Sequence, residues 1–378
     1  MDLIPVFKPL IEKEEIAAAV ESLQLGWLGM GSYVKQFEDA VAEVCQIKPE
    51  DDRHIVAVST GHAALHLSLL MMGVGPGDEV ITPSFNNAAD FQAIRACGAD
   101  PVFVDVKEKT LCVDADKIEE LISDRTKCII AMDYDVFICE HDAIAEIASR
   151  HGVPVLHDAA HSFGSLYKGK PVGHQHAYTM FSFDPVKTIT CIDGGAIVTK
   201  GSENVERLQA MRLIGMTQPA AHMYTNSRAW TYDIKELGFR YHMANLHAAV
   251  GVSQIKKIDE IRQSRQRACK LYGEELSKLD WLDVPVGDFS TVNPFLYYIR
   301  VLNGKRDELR EHMKAQGVDT GIHWQAGHRF TYLTKYRRGS LDVTERITDQ
   351  ILSLPLHSRM DVATIGQVVS AITSFKGT

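Results

Sequence analysis

The sequence predicts an α/β fold: a large N-terminal unit with a mostly parallel, helix-covered sheet, then a smaller C-terminal α+β unit. Three observations predict it. Short apolar runs alternate with helical patterns from about residue 54 to 200, which is how parallel βαβ units are written in a chain. The alternation stops after about residue 240, where a long helical stretch takes over. The chain has 378 residues, 45% of them hydrophobic and 24% charged, ordinary globular usage with enough apolar material for a large core.

Taken in order, residues 54–59 (His-Ile-Val-Ala-Val-Ser) read as a buried strand and 63–72 as a helix. The turn Gly75-Pro76-Gly77-Asp78 introduces a strand at 79–82. A helix fits 87–97, a strand 101–105 and another strand 127–132, followed by a helix at 141–151 and a strand at 153–157. Such units cross over right-handedly, and ligands of such sheets lie at the carboxyl ends of the strands. Residues 244–279 read as one helical stretch with Ile255, Ile258 and Ile261 spaced by three. A strand is expected at 295–302, an amphipathic helix at 306–316 stopped by Gly317, and last helices at 344–352 and 363–375. No repeat or low-complexity linker intervenes, so the units 1–243 and 244–378 are expected to pack together.

Forty basic against forty-nine acidic residues give a net charge of −9, which argues against nucleic acid as a partner. A single pocket for a small phosphorylated ligand remains open. No run approaches the length of a membrane span, and the start of the chain has no signal-peptide pattern. Seven scattered cysteines without a CxxC pair read as reduced thiols of a cytoplasmic protein. There are sixteen histidines but no HExxH, and no metal site is expected.

Chemistry is concentrated in three stretches. Lys187 lies between the apolar segment Phe181-Ser182-Phe183 and the turn Gly194-Gly195. An apolar setting lowers an amine's pKa and frees a nucleophile, whereas a solvated loop lysine is the plainer alternative. Asp158 directly follows a strand, either as a site carboxylate or as a helix cap. Lys187 and Asp158 together suggest pyridoxal 5'-phosphate: an amine for the Schiff base, and a carboxylate that keeps the pyridine nitrogen protonated so that the ring accepts electrons. The third stretch, 58–67, passes from a strand through Ser59-Thr60-Gly61 into a helix, a start whose amides suit a phosphate.

Six ordered segments, covering nearly the whole chain, resemble the DegT/DnrJ/EryC1/StrS family of pyridoxal-phosphate sugar aminotransferases, of aspartate-aminotransferase fold type I. They are 26–31, 75–85, 158–161 (Asp-Ala-Ala-His), the lysine segment 181–196, 238–245 and 321–324. The resemblance implies that Lys187 carries the cofactor and moves the proton, that Asp158 pairs with the pyridine nitrogen, and that His161 reaches the ring hydroxyl. It implies phosphate contacts from Ser182 and from the amides of Gly61 and His62, and a place for Asn87 against the ring. Relatives of this kind are homodimers with active sites at the interface, so Arg240 would touch a phosphate across it, and His323 and His328 would line the sugar side. The implied reaction moves an amino group from L-glutamate to a nucleotide-linked keto-deoxysugar, a 4-keto-6-deoxyhexose before a 3-keto sugar. His62, Asn87, Asp133 and Arg240 depart from the family's usual residues. An aminocyclitol acceptor and a cofactor-binding protein without turnover are the alternatives; Lys187 argues against a sugar dehydratase, whose relatives carry His there.

Overall fold

The computed structural model describes residues 3–217, 224–227 and 230–377. Its strands are β1 (Arg53–Val58), β2 (Glu79–Pro83), β3 (Asp100–Val104), β4 (Thr126–Met132), β5 (Val155–Asp158), the short pair β6 (Leu166–Tyr167) and β7 (Lys170–Pro171), β8 (Tyr178–Ser182) and β9 (Gly195–Lys200). Apart from the short pair they form one seven-stranded sheet in the order β1-β9-β8-β5-β4-β2-β3. Strand β9 runs antiparallel to both its neighbours, β1 and β8, and the other pairings are parallel. The mostly parallel sheet is therefore present, with a single reversed strand inserted next to the edge.

The helices are α1 (Lys13–Gln24), α2 (Ser32–Val44), α3 (Gly61–Met71), α4 (Ala88–Ala96), α5 (His141–His151), α6 (Ser202–Met211), α7 (Asn245–Ile255) and α8 (Ile258–Leu276). The Thr60 hydroxyl starts α3 by accepting the Ala63 N–H. Nearly every residue of α3 is buried, because sheet lies on one side and α4 and α6 on others; a helix covered all round needs no polar face. Helix α5 buries Ile144, Ile147 and Ala148 and ends at Gly152, whose left-handed φ of 65° is cheap only without a Cβ.

After a two-residue pairing of β10 (Met216–Thr217) with β11 (Asp233–Ile234), the chain builds a second sheet. It comprises β12 (Leu282–Asp283), β13 (Tyr297–Val301) and β14 (Ile351–Leu354), all antiparallel. Around it lie α9 (Arg306–Ala315), α10 (Asp342–Gln350) and α11 (Val362–Thr373).

Two expectations need correction. The helical stretch 244–279 is two helices, because Lys257 leaves helical geometry (φ −103°, ψ 8°). Its ammonium instead reaches Glu15 at 2.7 Å and Glu12 at 3.3 Å, so α7 packs on α1 and α2 while α8 turns toward α11. The helix expected at 344–352 stops at Gln350, and Ile351 and Leu352 pair with β13, where branched apolar side chains fill a buried ladder.

A buried ion pair ties α2, β1 and the end of α6 together. Arg212, fully buried, donates to Glu38 Oε1 at 2.7 Å and to the Ala57 carbonyl at 2.6 Å. The same Glu38 oxygen accepts the Ala57 N–H at 2.9 Å. Glu38→Gln is expected to destabilise the fold by about 3–5 kcal/mol, since it strands a buried guanidinium. Denaturant melts check this: a loss below about 1 kcal/mol would show that the Ala57 carbonyl and the Tyr224 hydroxyl carry Arg212 without it.

Candidate active site

The carboxyl ends of β1, β2, β4, β5 and β8 meet at one cavity of about 250 Å³. It is lined by Thr60, Gly61 and His62 from the start of α3, by Asn87 and Asp90 from α4, by Asp158 and His161, and by Ser182, Asp184 and Lys187. Each arrives because a strand ends there. Asp158 closes β5, Ser182 closes β8, and Asp184-Pro185 turns the chain so that the Lys187 N–H reaches the Asp184 carbonyl at 3.2 Å.

At one end of the cavity lie donors for an anion. A helix start has amides with no intrahelical partner, and Gly61 and His62 stand there beside the Ser182 hydroxyl. The backbones are packed closely: a Cβ on Gly61 would come within 2.6 Å of Ser182 Oγ, and one on Gly195 within 2.3 Å of the Thr60 carbonyl. At the other end is a pair of carboxyls, Asp158 and Asp90, both buried. Asp158 Oδ1 accepts the Ala160 N–H at 2.9 Å. Burial raises the Asp158 pKa, opposed by the Ala160 amide and by Lys187.

Lys187 is half-buried between these ends. Its Nζ lies 4.2 Å from the centre of the Phe295 ring, supplied from the C-terminal part of the chain. Loss of hydration pulls the amine below its usual range, against the attraction of Asp184, Asp158, Asp135 and Asp90. An amine so placed is neutral more of the time and is a better nucleophile and proton carrier near neutral pH.

His161 packs against Phe295 in a tilted contact, at 4.4 Å between ring centres, and stacks on Trp324 at 6.0 Å. Its Nδ1 accepts the Asp135 N–H at 3.4 Å, so the Nε2 nitrogen carries the proton in the neutral ring. Burial holds His161 well below the usual histidine range. The Asp135 carboxyl, 3.3 Å from the same Nδ1, is buried with neither oxygen hydrogen-bonded, and desolvation drives its pKa well up.

Behind this wall a line of side chains joins Asp133 to three histidines. Asp133 Oδ1 contacts His141 Nε2 at 3.1 Å, Oδ2 contacts His157 Nε2 at 2.6 Å, and His141 Nδ1 meets His176 Nε2 at 3.0 Å. Asp133 also accepts from the Cys139 amide and the Ser162 hydroxyl. The ligand-type atoms of Asp133, His141 and His157 lie within 4.8 Å of one another, a convergence the sequence spacing did not announce, while His141 spends its other nitrogen on His176. Burial would raise Asp133, but His157 and His141 facing it hold it well below the usual range.

Seven of the residues singled out in the sequence therefore meet at one cavity: Lys187, Asp158, Gly61, His62, Asn87, His161 and Ser182. Asn87 has a second task, because its Oδ1 accepts the Ala89 N–H and caps α4. Three expected residues do not line the cavity in this chain. His328 is buried against Ser84 at 2.8 Å and Glu345 at 3.4 Å, the pattern of a satisfied structural histidine. His323 bonds Ser353 at 2.9 Å; burial first and Lys187 second lower its pKa to about 4. Arg240 is exposed and, among the described residues, makes no ion pair. Sequence reasoning missed Asp90, Asp135, Asp184, Phe295 and Trp324. An Asp in the first turn of a helix reads as ordinary capping chemistry, and nothing local marks an aromatic that reaches the site from a distant segment.

The residues present fit pyridoxal phosphate: an anion cradle of hydroxyls and amides that a Cβ at position 61 would fill, an amine of lowered basicity, and a buried carboxylate opposite. The comparisons agree. The family model for the DegT/DnrJ/EryC1/StrS aminotransferase family matches residues 9–373. An uncharacterised protein of Methanocaldococcus jannaschii is 32% identical, covering 98% of this chain and 96% of its own. Among solved structures, the aminotransferase TlmJ of Streptoalloteichus hindustanus is similar with a TM-score of 0.89 and 30% identity over 98% of both chains. So is the pyridoxamine-phosphate form of a putative sugar aminotransferase of Streptococcus pneumoniae, with a TM-score of 0.89 and 25% identity over 98% of both chains. The fold, the cavity and the match across almost the full length lead to one assignment: the chain belongs to the DegT/DnrJ/EryC1/StrS family and is a pyridoxal-phosphate-dependent sugar aminotransferase.

Proposed function

We propose that the protein transfers an amino group from L-glutamate to a nucleotide-linked keto-deoxysugar, with a 4-keto-6-deoxyhexose as the favoured acceptor. The observation that carries the reading is Lys187, an amine of lowered basicity held between the Asp158 carboxylate and the anion cradle in a single cavity. Bound there, pyridoxal phosphate supplies an electron sink for the substrate carbon. The chain's own residues do the rest. Ser182 and the amides of Gly61 and His62 hold the phosphate, Asp158 keeps the pyridine nitrogen protonated, and His161 donates from Nε2 toward the ring hydroxyl. Asn87 flanks the ring while capping α4. The Lys187 Nζ takes the proton from the donor's carbon and returns one to the acceptor's, a general base and acid in turn.

The acceptor class rests on the family resemblance and on the sugar aminotransferase among the similar structures. Two copies are proposed to complete each site. Trp230, Tyr232, Ile234 and Leu237 stand exposed along the segment that leads to Arg240, an apolar surface of the kind that a partner subunit covers. Arg240, and with it His323 and His328, then belong to the sugar-nucleotide side, His328 by positioning the loop it anchors. We place the division between the cofactor-holding unit, 1–243, and the smaller unit, 244–378. We also place the enzyme in the cytoplasm, in keeping with seven cysteines that are all free thiols; no described helix is long and apolar enough to cross a membrane.

A panel of keto-sugar nucleotides incubated with glutamate and read by mass spectrometry tests the reading. Product heavier by the exchange of a carbonyl oxygen for an amine, on a 4-keto sugar, is expected. Turnover only with a 3-keto sugar or an aminocyclitol precursor would replace the acceptor, and glutamate that fails to bleach the visible cofactor band would remove the donor.

A further inference from the structure

Two carboxyls occupy the cavity end where the sequence led us to expect one. We propose that Asp90 is a positioning residue: as a neutral carboxylic acid it donates a hydrogen bond to the Asp158 carboxylate and fixes the oxygen that meets the cofactor's pyridine nitrogen. This rests on the reading of Asp158 given above.

The geometry supports it from several sides. Asp90 and Asp158 line the same cavity and are 1% and 4% exposed. Each carboxyl lies close enough to the other to shift its titration, Asp90 upward and Asp158 downward, as a proton held between them would. Neither carboxylate has a proton to give when ionised, so a bond between the two exists only while one proton is shared. The remaining partners decide where it sits. Asp158 accepts the Ala160 N–H at 2.9 Å and faces the Lys187 amine, both of which favour its charged form. Asp90 Oδ2 accepts one neutral donor, Asn86 Nδ2, at 2.7 Å. Burial, then the Asp158 charge, drive Asp90 well above the usual carboxylate range, against the opposing pulls of Asn86 and Lys187. The thiol of Cys128 also lies within its electrostatic reach and is itself held neutral by burial, its pKa raised to about 12. The N-terminal turn of α4 favours a negative charge, but that is a weaker pull than a carboxylate in hydrogen-bond contact.

A neutral acid has a close mimic. In Asp90→Asn the amide oxygen can accept from Asn86 while the amide nitrogen donates to Asp158. Asp90→Ala removes the donor. If Asp90 acted instead as a second negative charge, the asparagine would be as damaging as the alanine. A pH signature follows from linkage. A carboxyl whose folded pKa is raised binds its proton more tightly in the folded state, so the stability it contributes is present at low pH and falls as pH rises toward that folded pKa. Asparagine cannot titrate and removes that slope.

The experiment measures pyridoxal-phosphate affinity of the apo-protein, and its melting temperature from about pH 5 to about pH 9, for the parent, Asp90→Asn and Asp90→Ala. Asp90→Asn is expected to bind the cofactor within about threefold of the parent at neutral pH, and Asp90→Ala at least about tenfold more weakly. The parent's melting temperature should fall with rising pH relative to that of Asp90→Asn. Asparagine as weak as alanine, alanine as tight as the parent, or equal pH slopes in parent and Asp90→Asn would each overturn the proposal. Should Asp90→Ala fail to fold, the parent and Asp90→Asn slopes decide alone. Asp158→Asn separates the two layers: parent-like cofactor binding in that variant refutes the Asp158 reading, whereas weakened binding there with silent Asp90 variants refutes only this one.

Discussion

Lys187→Ala is expected to end amino transfer and to remove the visible absorption of the lysine–cofactor linkage. Lys187 is the only primary amine among the cavity-lining residues, its environment lowers its basicity, and it is asked both to hold the cofactor and to carry the proton. Loss of a positioned acid–base group alone costs about 10²–10⁴ in rate; loss of the covalent tether adds to it. The fold should survive, because the side chain is only half-buried and its amine rests on an aromatic face, Phe295. Single-turnover mixing of the variant with glutamate, followed in the visible, gives the answer. Retained turnover would displace Lys187 from its role and leave the cavity without a chemical centre.

Asp158→Asn is the second large effect. The amide oxygen can still accept the Ala160 N–H, so the end of β5 keeps its shape, but the negative charge opposite the pyridine nitrogen is gone. Truncating one side of a buried, hydrogen-bonded charge pair costs about 2–5 kcal/mol, which is roughly 30- to 5,000-fold in rate. The apo-protein should keep about the parent's stability, since the amide oxygen still accepts the Ala160 N–H and the amide nitrogen can donate to the Asp90 carboxyl. A variant with parent-like kcat would show that Asp158 caps a turn and does nothing for the ring.

The sheet was legible because its strands are short runs of Val, Ile and Ala bounded by Gly, Pro and Asp, and a strand buried on both faces has little else it can be. Its one reversed strand, β9, was not, because the run 195–200 carries no mark of direction. Helix α1 escaped notice for a different reason: its buried positions are Glu15 and Ser22, while its apolar residues Ile16, Val20 and Leu23 stand exposed, the reverse of an ordinary amphipathic helix. Glu15 is buried because Lys257 and Ser253 pair with it, and those partners lie far away in sequence. The same limit governs the site. Lys187, Asp158 and Ser182 each sit at a strand end or the turn after it, where position alone announces a role. Asp90 looks like routine first-turn acid until Asp158 is placed beside it, and Asp135 is only an odd residue until His161 is. His328 and His323 could be named from the sequence but not assigned, since a histidine bonded to Ser84 or Ser353 is spelled in the same way as one awaiting a ligand.

The ring of Phe295 over the Lys187 amine has a consequence for anyone who would cut this enzyme into parts. The reactive group grows from the N-terminal sheet, yet the surface that keeps water from it arrives much later in the chain. A fragment ending before that ring could still assemble strands, but its amine would be hydrated, more basic and largely charged, a lysine like any other on a protein surface. Chemical competence thus comes late, only once the last third of the polypeptide has been made and docked, and a graft of the lysine-bearing strands onto another scaffold would have to bring its own roof.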